Sequence, residues 1–498
     1  MERLTGMDAI PVNAEAGPMN IHITALLLVD PRPAGPGFDA DHLYALLAER
    51  LPRNPLVRLR LVHKPLRLGQ PVFVDDPDFD VHKHLQRLAV PAPGGPRQVA
   101  ALIDEIHRHR LGHDKPLWEA WVIEGLADGR LALAVKFSHA LSDGVGAVNR
   151  LLPTLLSTDP DHDPDYPEPG PAAPLPGTGD LLADWLAESA GNVAGAARVV
   201  GRGTPQLGRA VAERLLSMAA APLRRLRGGE IDTDPRLRAA PADTPLNRPI
   251  SERRNSAYAE VELDRMRDLG AAYGVTVNDV FIAACTTALR QWLLAHDTVP
   301  DGPLQVFVPI STRSADDDAF NSWSLALVRL PVFLPDPVER LTVIHQATNR
   351  VKSGRGANGP TVDVVDLVQL VPPTLLRMAA STYVLDLVAP LRPPFFHACF
   401  SNIPGPRGPL WLGGARLEGI YPFGPLFQDM NVNLTAVSYD GHFGLGVVGC
   451  PDNVPDVWEI SDAWLAALGE LDRNRPQCAP LTTPRERDEA DEYEGSAD

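Results

Sequence analysis

Residues 131–144 have the sequence LALAVKFSHALSDG, which joins a strand to a helix through one histidine, His139. Larger apolar side chains alternate with small or polar ones over residues 131–138. That period of two predicts a β-strand. His139 follows at the end of the strand, and Asp143 and Gly144 open a predicted helix over residues 145–156. The stretch therefore predicts a strand, a tight turn and a helix within an α/β domain.

The H-x-x-x-D-G pattern of His139, Asp143 and Gly144 has two interpretations. An imidazole titrates near neutral pH and can accept a proton from a hydroxyl without a metal. An aspartate at the following tight turn can fix the loop that orients this imidazole. The alternative is an ordinary loop histidine followed by a helix N-cap aspartate. Three defined positions do not decide between a general base and an ordinary loop histidine, so the surrounding sequence has to be considered.

The composition is typical of a soluble globular protein. The chain has 498 residues, of which 44% are hydrophobic and 22% charged, and this length allows two or three domains with buried cores. The net charge of −17 disfavours nucleic-acid binding. Acidic residues dominate the end of the chain, and we expect residues 476–498 to form a disordered tail.

Cysteine usage and apolar runs bear on the cellular location. The four cysteines, at positions 285, 399, 450 and 478, form no C-x-x-C pair. This spacing disfavours a zinc site or a disulfide framework and fits a reducing cytoplasm. No apolar signal region follows Met1, and no apolar run reaches the roughly 18 residues of a membrane span. We therefore expect a cytoplasmic protein that meets lipid only peripherally, at a membrane or lipid-droplet surface.

Composition divides the chain into four parts. Residues 1–158 and 251–475 each alternate predicted strands and helices, residues 159–250 hold a proline-rich linker and helices, and residues 476–498 form the tail. Strands are predicted over residues 21–29, 118–124, 131–138, 258–263, 306–310, 324–330, 431–439 and 443–448. The last two flank Asp440-Gly441, a favoured hairpin turn. Helices are predicted over residues 41–51, 98–110, 145–156 and 264–273, and a capping box at residues 276–279 begins one that ends at 294.

Residues 181–227 are predicted to be helical, with an interruption at 201–205, and their second half is unusually basic. Seven arginines, at positions 198, 202, 209, 214, 224, 225 and 227, accompany a single acid, Glu213, while apolar residues repeat at helical spacing. Such a basic amphipathic helix can lie on an anionic lipid surface. The alternative, which we favour slightly, is a helix that packs across the two subdomains with its arginines in solvent.

The motifs that are absent narrow the chemistry. The sequence has no G-x-S-x-G nucleophile elbow. Ser138 points to the opposite face of its strand from His139, because strand side chains alternate, so a covalent serine mechanism is disfavoured. Without an H-E-x-x-H pattern or a Cys/His cluster we expect no metal site, and ordinary surface histidines at positions 82, 84, 107, 109 and 113. Direct transfer remains, in which His139 deprotonates a hydroxyl that attacks a thioester.

Eight separate segments point to one family. They are residues 1–8, 78–82, 91–94, 116–119 (PLWE), 277–280, 308–313, 401–406 (SNIPGP) and 431–433 (NVN). In these segments the chain resembles the bacterial wax ester synthase/acyl-CoA:diacylglycerol acyltransferases, relatives of chloramphenicol acetyltransferase and of peptide-synthetase condensation domains. The segments occur in the family's order over most of residues 1–470, and this recurrence is more specific than the histidine motif alone.

The resemblance implies a role for each residue of the motif. The family motif is H-H-x-x-x-D-G, so His139 is implied as the general base, with Asp143 and Gly144 structural at the active site. Arg313 is the implied partner of Asp143, since buried carboxylates are seldom unpaired; the alternative is a solvated arginine at a strand end. Ser138 replaces the first motif histidine, and we expect this replacement to affect packing or substrate preference more than the chemistry.

Four residues are candidate substrate-binding positions: Ser138, Asn278, Ser401 and Asn402. Asn278 lies in the predicted capping box, and we favour a plain helix start there. The resemblance implies that the segment containing Ser401 and Asn402 crosses near the active site. Without the resemblance, the following Pro404-Gly405 indicates a loop.

The resemblance also implies a fold and a reaction. The fold is α/β, with two chloramphenicol acetyltransferase-like subdomains in a V and a channel between them. The implied reaction moves a long-chain acyl group from acyl-CoA, a co-substrate, to diacylglycerol or a fatty alcohol, without a cofactor, a metal or an acyl-enzyme. Two alternatives stay open: an acyltransferase or condensation enzyme acting on another alcohol or an amine, and a non-catalytic lipid-binding paralogue.

Overall fold

Two six-stranded β-sheets form the framework of the computed structural model, which describes residues 1–4, 6–162, 164, 170, 172–202, 235–239, 241–311, 323–352, 373–383 and 396–476. The strands are β1 (Glu2–Arg3), β2 (His22–Asp30), β3 (Leu59–Val62), β4 (Val72–Asp75), β5 (Leu85–Ala89), β6 (Trp118–Glu124), β7 (Leu131–Ser138), β8 (Asn255–Glu262), β9 (Leu304–Ser311), β10 (Trp323–Leu330), β11 (Ala398–Ile403), β12 (Trp411–Leu412), β13 (Ala415–Phe423), β14 (Val432–Tyr439) and β15 (His442–Gly449). The α-helices are α1 (Gly6–Asn13), α2 (Ala40–Arg50), α3 (Pro96–Arg108), α4 (Gly144–Gly146), α5 (Leu152–Leu155), α6 (Thr178–Arg202), α7 (Leu263–Tyr273), α8 (Val277–Ala295), α9 (Pro337–Lys352), α10 (Pro373–Tyr383) and α11 (Trp458–Arg473). A π-helical turn spans Ala147–Leu151, and 3₁₀ turns span Arg32–Ala34, Leu51–Arg53, Pro55–Arg58, Pro65–Arg67, Val81–Lys83, Pro235–Arg238 and Pro245–Asn247.

The first sheet has the order β12-β13-β2-β7-β6-β5 and contains the strand that ends before His139. Strand β7 pairs antiparallel with β2 on one side and with β6 on the other. Strands β12 and β13 belong to the second half of the chain, yet β13 pairs with β2 from Arg416↔Asp30 to Phe423↔Thr24. The division of the chain into four parts stays a prediction. It did not include this pairing of a strand from the second half with the sheet of the first half.

The second sheet has the order β10-β9-β11-β14-β15-β8. Strand β11 lies parallel to both of its neighbours, β9 and β14, while the other pairs are antiparallel. The predicted hairpin is confirmed: β14 and β15 are joined by Asp440, with φ of 44°, and Gly441, with φ of 81°. Positive φ at both central residues is the backbone that a tight two-residue hairpin turn requires.

Local periodicity predicted most of the elements that surround His139. The strands predicted over 118–124 and 131–138 have those same bounds. The helix predicted over 145–156 is divided instead, because a π-helical turn lies between α4 and α5. Within this turn the Arg150 carbonyl accepts hydrogen bonds from Asn54 Nδ2 (2.8 Å) and Thr154 Oγ1 (3.3 Å). Such widened turns often occur at functional sites.

The three largest apolar clusters among the described residues hold the sheets and helices together. One lies under the second sheet, where Phe281 of α8 and Trp464 of α11 pack on Phe443. Another lies under the first sheet and includes Leu43 of α2 and Trp118. The third includes residues of both sheets and of α3, so it joins the two halves of the chain through apolar burial rather than through a linker.

Two of the five histidines that we expected at the surface are buried, so that expectation is wrong for His84 and His107. His84 stacks on Trp118 with ring centroids 4.7 Å apart, and its Nδ1 lies 2.8 Å from the Trp118 carbonyl oxygen. His107 Nδ1 lies 2.9 Å from Thr24 Oγ1, and burial lowers the pKa of His107 well below its ordinary value. Each ring satisfies a polar group inside the domain, which a search for metal-ligand spacing does not detect.

Helix α6 is held against the first half of the chain by a buried cation. Lys64 Nζ lies 2.6 Å from Asp184 Oδ2 and 2.5 Å from Glu188 Oε2, both on α6. The Lys64 side chain has no solvent exposure, so its charge needs these carboxylates. The predicted helix over 181–227 is thus confirmed as far as Arg202, and the basic residues 209–227 lie outside the described residues.

None of the described helices is by itself long and apolar enough to cross a bilayer. Helices α7 and α8 together reach that length and composition, but they are bent by 97° to one another. Most residues of α8 are buried in the core of the second half.

Asp279 fixes the start of α8 and ties this helix to α9. The predicted capping box is confirmed, since Thr276 Oγ1 accepts from Asp279 N (3.2 Å) and Asp279 Oδ2 accepts from Thr276 N (3.0 Å). Asp279 also accepts from Thr348 Oγ1 (2.6 Å) and lies 2.8 Å from His345 Nδ1. Burial opposes ionisation, but the hydrogen bonds from Thr348, His345 and Thr276 outweigh it and lower the pKa of Asp279.

We predict that Asp279→Asn lowers the free energy of unfolding at pH 7 by about 2 kcal/mol, because it weakens hydrogen bonds to a buried charge. A lowered pKa means that the stabilisation is present above the ordinary value of 3.8 and is lost as the pH falls through the folded-state value. Urea unfolding at pH 7 and pH 3 tests both statements. The difference between variant and wild type should shrink at pH 3.

Asp264→Asn is the matched control, because the Asp264 side chain is 80% exposed at the start of α7. We expect it to change stability by less than about 0.5 kcal/mol at either pH. Equal effects of the two substitutions at pH 7 would contradict the role given to Asp279.

Candidate active site

Hydrogen bonds to both neighbouring strands fix the backbone around His139. His139 N donates to the carbonyl of Ile21, just before β2, at 3.0 Å. Ser138 N donates to the carbonyl of Leu117, just before β6, at 2.9 Å. The position of the imidazole therefore depends on three adjacent strands of one sheet, and His139 itself is half-buried.

The turn after His139 is closed by Asp143. Its carboxylate Oδ1 accepts from Gly146 N at 2.6 Å and caps α4, and the side chain is buried. A Cβ atom at Gly144 would lie 2.5 Å from Ile403 Cδ1 on β11, so the two halves of the chain are in close contact here and a larger residue would displace the Ile403 side chain. The N-cap role of Asp143 is thus present, together with a close approach to the second half.

His139 lies on the wall of a cavity between the two sheets that encloses about 1090 Å³, including its open part. Its lining is mostly apolar and comes from both halves of the chain. The first half contributes Ile10 and Pro11 of α1 with Ile21 and Ile23, and the second contributes Phe307, Pro309, Ile403, Pro422 and Phe427. A cavity wall that is mostly apolar with few polar groups is typical of a site for an apolar ligand.

Besides His139 and Asp143, the polar side chains of the cavity lie on two neighbouring strands of the second sheet. Ser401 and Asn402 belong to β11, and Asn433 and Thr435 belong to β14. Thr435 Oγ1 donates to Asn433 Oδ1 (2.7 Å), and Asn433 Nδ2 donates to the Pro425 carbonyl (2.9 Å). These two side chains are therefore already paired, whereas neither Ser401 nor Asn402 uses its side chain to bond another described residue.

The structure brings together five of the eight residues proposed from sequence, namely His139, Asp143, Gly144, Ser401 and Asn402. Ser138 is 1% exposed and does not line the cavity, and its Oγ accepts from Ala140 N at 3.3 Å. Asn278 lies half-buried in the first turn of α8 and does not line it either. Arg313 lies outside the described residues, so its pairing with Asp143 stays a prediction.

Sequence reasoning did not assign Asn433, Thr435 or Cys399 to the site, although all three line the cavity. The N-x-N pattern of residues 431–433 was a family segment, but nothing in it tells which asparagine faces a cavity. Asn431 faces elsewhere and donates to the Arg248 carbonyl at 2.6 Å. Cys399 is fully buried, and burial raises the pKa of its thiol, which disfavours a thiolate in the cavity.

Sequence models of one family match most of the chain. The wax ester synthase/diacylglycerol acyltransferase catalytic domain matches residues 4–281, and the WS/DGAT C-terminal domain matches residues 321–472. A putative diacylglycerol O-acyltransferase of Mycobacterium tuberculosis strain H37Rv is 34% identical over 476 residues, which are 95% of this chain and 90% of that protein. A second putative diacylglycerol O-acyltransferase from the same strain is 33% identical over 472 residues, which are 94% of this chain and 99% of that protein.

Solved structures agree on the fold. The wax ester synthase/diacylglycerol acyltransferase of Marinobacter aquaeolei VT8 superposes with a TM-score of 0.68 at 28% identity, covering 95% of this chain and 100% of that one. The starter condensation domain of rhizomide synthetase, solved with C8-CoA and Leu-SNAC, superposes with a TM-score of 0.53 at 12% identity. The match covers 95% of this chain and 94% of that domain, and it shows a likeness of fold alone. The expected two-domain α/β fold is confirmed. With both family domains in order along it, this chain belongs to the wax ester synthase/diacylglycerol acyltransferase family.

Proposed function

We propose that the chain transfers a long-chain acyl group from acyl-CoA to a lipid hydroxyl, forming triacylglycerol from diacylglycerol or a wax ester from a fatty alcohol. The observation that carries the proposal is the position of His139 on the wall of a large, mostly apolar cavity between the two sheets. Relatives named diacylglycerol O-acyltransferases support the acceptor class. The rhizomide starter condensation domain, a protein of the same fold, was solved with an acyl-CoA, which supports the donor.

His139 is the general base in this proposal. Its imidazole accepts the hydroxyl proton while the alcohol oxygen bonds to the thioester carbonyl carbon. The tetrahedral intermediate then breaks its carbon–sulfur bond, and the imidazolium returns the proton to the leaving CoA sulfur. Atoms and charges balance without a cofactor or a metal, so acyl-CoA is a co-substrate.

Two of the nucleophilic side chains near His139, Ser138 and Cys399, are unfavourable for a covalent acyl-enzyme. Ser138 is buried on the face of β7 opposite to the cavity. Cys399 lines the cavity, but burial raises the pKa of its thiol, and a neutral thiol is a weak nucleophile. These two observations support direct transfer.

Ser401 is the side chain that we propose as donor to the oxyanion. It lies on β11 beside Thr435 in the register of the sheet, and it lines the cavity. Asn433 and Thr435 are paired with one another, so a hydroxyl with unused hydrogen-bonding capacity is better suited to meet a developing charge. Asp143 caps the turn beneath His139, and we propose that Arg313 pairs with its carboxylate.

The apolar lining favours a lipid alcohol over the open alternative of a polar alcohol or an amine. A polar acceptor has to exchange its water shell for hydrogen bonds that the cavity wall offers at few positions. A lipid acceptor enters from a membrane or droplet surface, and we propose that this contact is peripheral. The basic helix predicted within residues 198–227 is one means of making it.

We predict that His139→Ala lowers kcat by at least about 100-fold, because general-base catalysis contributes that much or more. The measurement is transfer from labelled palmitoyl-CoA to hexadecanol or to diolein by purified protein, with thermal unfolding to verify the fold. His162→Ala is the matched control, because the His162 side chain is 79% exposed and pairs only with the neighbouring Asp159 among the described residues.

Near-full activity of His139→Ala would contradict the assignment of the base. If the wild type gives product with an amine and none with either lipid alcohol, the acceptor class is wrong. If it gives no product with any acceptor, the proposed transfer is wrong and the alternative of a non-catalytic paralogue is favoured.

We predict that Ser401→Ala lowers kcat by about 100-fold with little change in the KM for palmitoyl-CoA, since an oxyanion donor acts mainly in the transition state. Thr435→Val is the comparison, because it removes a hydroxyl from the neighbouring strand that is already paired with Asn433. A larger loss of kcat for Thr435→Val than for Ser401→Ala would contradict the assignment.

A further inference from the structure

His22 lies directly behind the active-site turn. In the antiparallel pairing of β2 with β7, His22 is opposite Ser138, the residue before the catalytic histidine. Side chains of directly opposite residues point to the same face, with Cβ atoms about 4.5 to 5.5 Å apart. Ile21 and Ile23 line the cavity, so His22, between them, points away from it. His22 and Ser138 therefore share the layer behind the cavity wall.

Glu15 holds the His22 ring in this layer. His22 Nε2 lies 2.8 Å from Glu15 Oε1, and the other carboxylate oxygen lies 3.4 Å from His113 Nε2. Burial opposes the charge of Glu15, but His113 and His22 outweigh it and lower the pKa of Glu15 to about 2. Burial lowers the pKa of His22. The Glu15 carboxylate thus lies in close contact with the buried His22 ring and limits its movement.

The buried position of His22 costs stability, and apolar packing alone does not explain why an imidazole is there. His22 is 1% exposed, and its Nδ1 is buried without a hydrogen-bond partner among the described residues. A buried polar atom without a partner destabilises a fold. An aliphatic side chain in the same place avoids this cost, so the imidazole is kept for another reason.

Ser138 builds the turn that carries His139. Its Oγ accepts from Ala140 N (3.3 Å) and its carbonyl accepts from Leu141 N (2.9 Å). Ser138 is as buried as His22, at 1% exposure. A histidine at position 138 would remove the first of these bonds and would place a second imidazole in a layer that His22 already occupies. Close-packed interiors do not accept such an addition without displacing the backbone.

We propose that His22, held by Glu15, is the positioning residue for His139, and that β2 supplies in this chain the imidazole that the family motif places on β7. The role is to support the turn, and it rests on the proposed function only in taking His139 as the base. On this proposal the serine at position 138 leaves room for His22 on the neighbouring strand, and its replacement of the motif histidine does not weaken the site.

A swap of the two side chains tests this proposal. The proteins are the wild type, His22→Ser, Ser138→His and the double variant, assayed for kcat and KM with palmitoyl-CoA and hexadecanol or diolein. We expect each single substitution to lower kcat by about 100-fold, because small displacements of a catalytic group have effects of that size. We expect the double variant to exceed either single variant by at least about 10-fold, with KM changed far less than kcat.

Two results would overturn the proposal. One is a rise in kcat for Ser138→His alone, which is expected if Ser138 is a degraded motif position. The other is a double variant no more active than the single variants. If both single variants fail to fold, a folded and active double variant supports the pairing, and an unfolded one contradicts it.

Leu28 and Ala132 provide the control swap. They are opposite one another on the same two strands and the same face, further from His139, and both are buried. Leu28→Ala and Ala132→Leu should lower the melting temperature while kcat stays within about 3-fold of the wild type, since no catalytic group is displaced. A loss of kcat as large as that of His22→Ser would show that any disturbance of this strand pair has the same effect.

Glu15 gives a second, milder test. Glu15→Gln keeps the length of the side chain and an oxygen beside the His22 ring, and Glu15→Ala removes both. We expect kcat near the wild-type value for glutamine and about 10-fold lower for alanine, because the shortened side chain no longer holds the His22 ring in place. Equal activity of the two variants would contradict the proposal.

Failure of this inference is distinguishable from failure of the proposed function. A wild type that transfers no acyl group to any alcohol contradicts the function. The melting temperatures of the four swap proteins still report whether positions 22 and 138 are coupled, because that cycle needs no substrate.

Discussion

The pairing of β7 with β2 is the interaction on which the rest of the site depends. It places His139 at the end of a strand and anchors its amide to the Ile21 carbonyl at 3.0 Å. Successive residues of this segment face opposite sides of the sheet. Ile21 and Ile23 line the cavity, while His22 lies behind the cavity wall beside Ser138. One strand register therefore determines both the cavity wall beside His139 and the layer behind it.

The cavity exists because the second half of the chain completes the first sheet. Strand β13 pairs with β2, and the residues that follow it bring Gly424, Pro425 and Phe427 to the cavity wall. Strand β11 brings Ser401 and Ile403 from the other sheet, and the Ile403 side chain lies close to Gly144. Both halves give the cavity a mostly apolar lining, and in the proposed mechanism such a lining disfavours water beside the reacting groups.

Local features of the sequence predicted local structure well. The alternation over 131–138, the Asp440-Gly441 turn and the capping box at Thr276 are each determined by a few neighbouring residues, and each is confirmed. The pairing of β13 with β2 joins positions far apart in the chain, and no period or turn signal encodes it. The burial of His84 and His107 depends in the same way on tertiary partners, Trp118 and Thr24.

The candidate site was predicted where a residue lies on a recognisable motif and missed where the fold alone brings it in. His139, Asp143, Ser401 and Asn402 came from motif segments, and all four line the cavity. Cys399 and Thr435 reach the cavity through strand alternation and sheet order, so only the structure could assign them. Alternation also predicted that Ser138 faces away from His139, but its neighbour across the sheet, His22, follows only from the register.

Direct acyl transfer is tested most directly by a single-turnover measurement in which wild-type enzyme in excess meets labelled palmitoyl-CoA, with and without hexadecanol or diolein. Quenched samples are analysed for free CoA and, by intact mass, for acylated protein. The proposed mechanism predicts CoA release and ester formation together, only when the alcohol is present, with the protein mass unchanged. Release of one equivalent of CoA without alcohol, accompanied by a palmitoyl adduct on the protein, would contradict it.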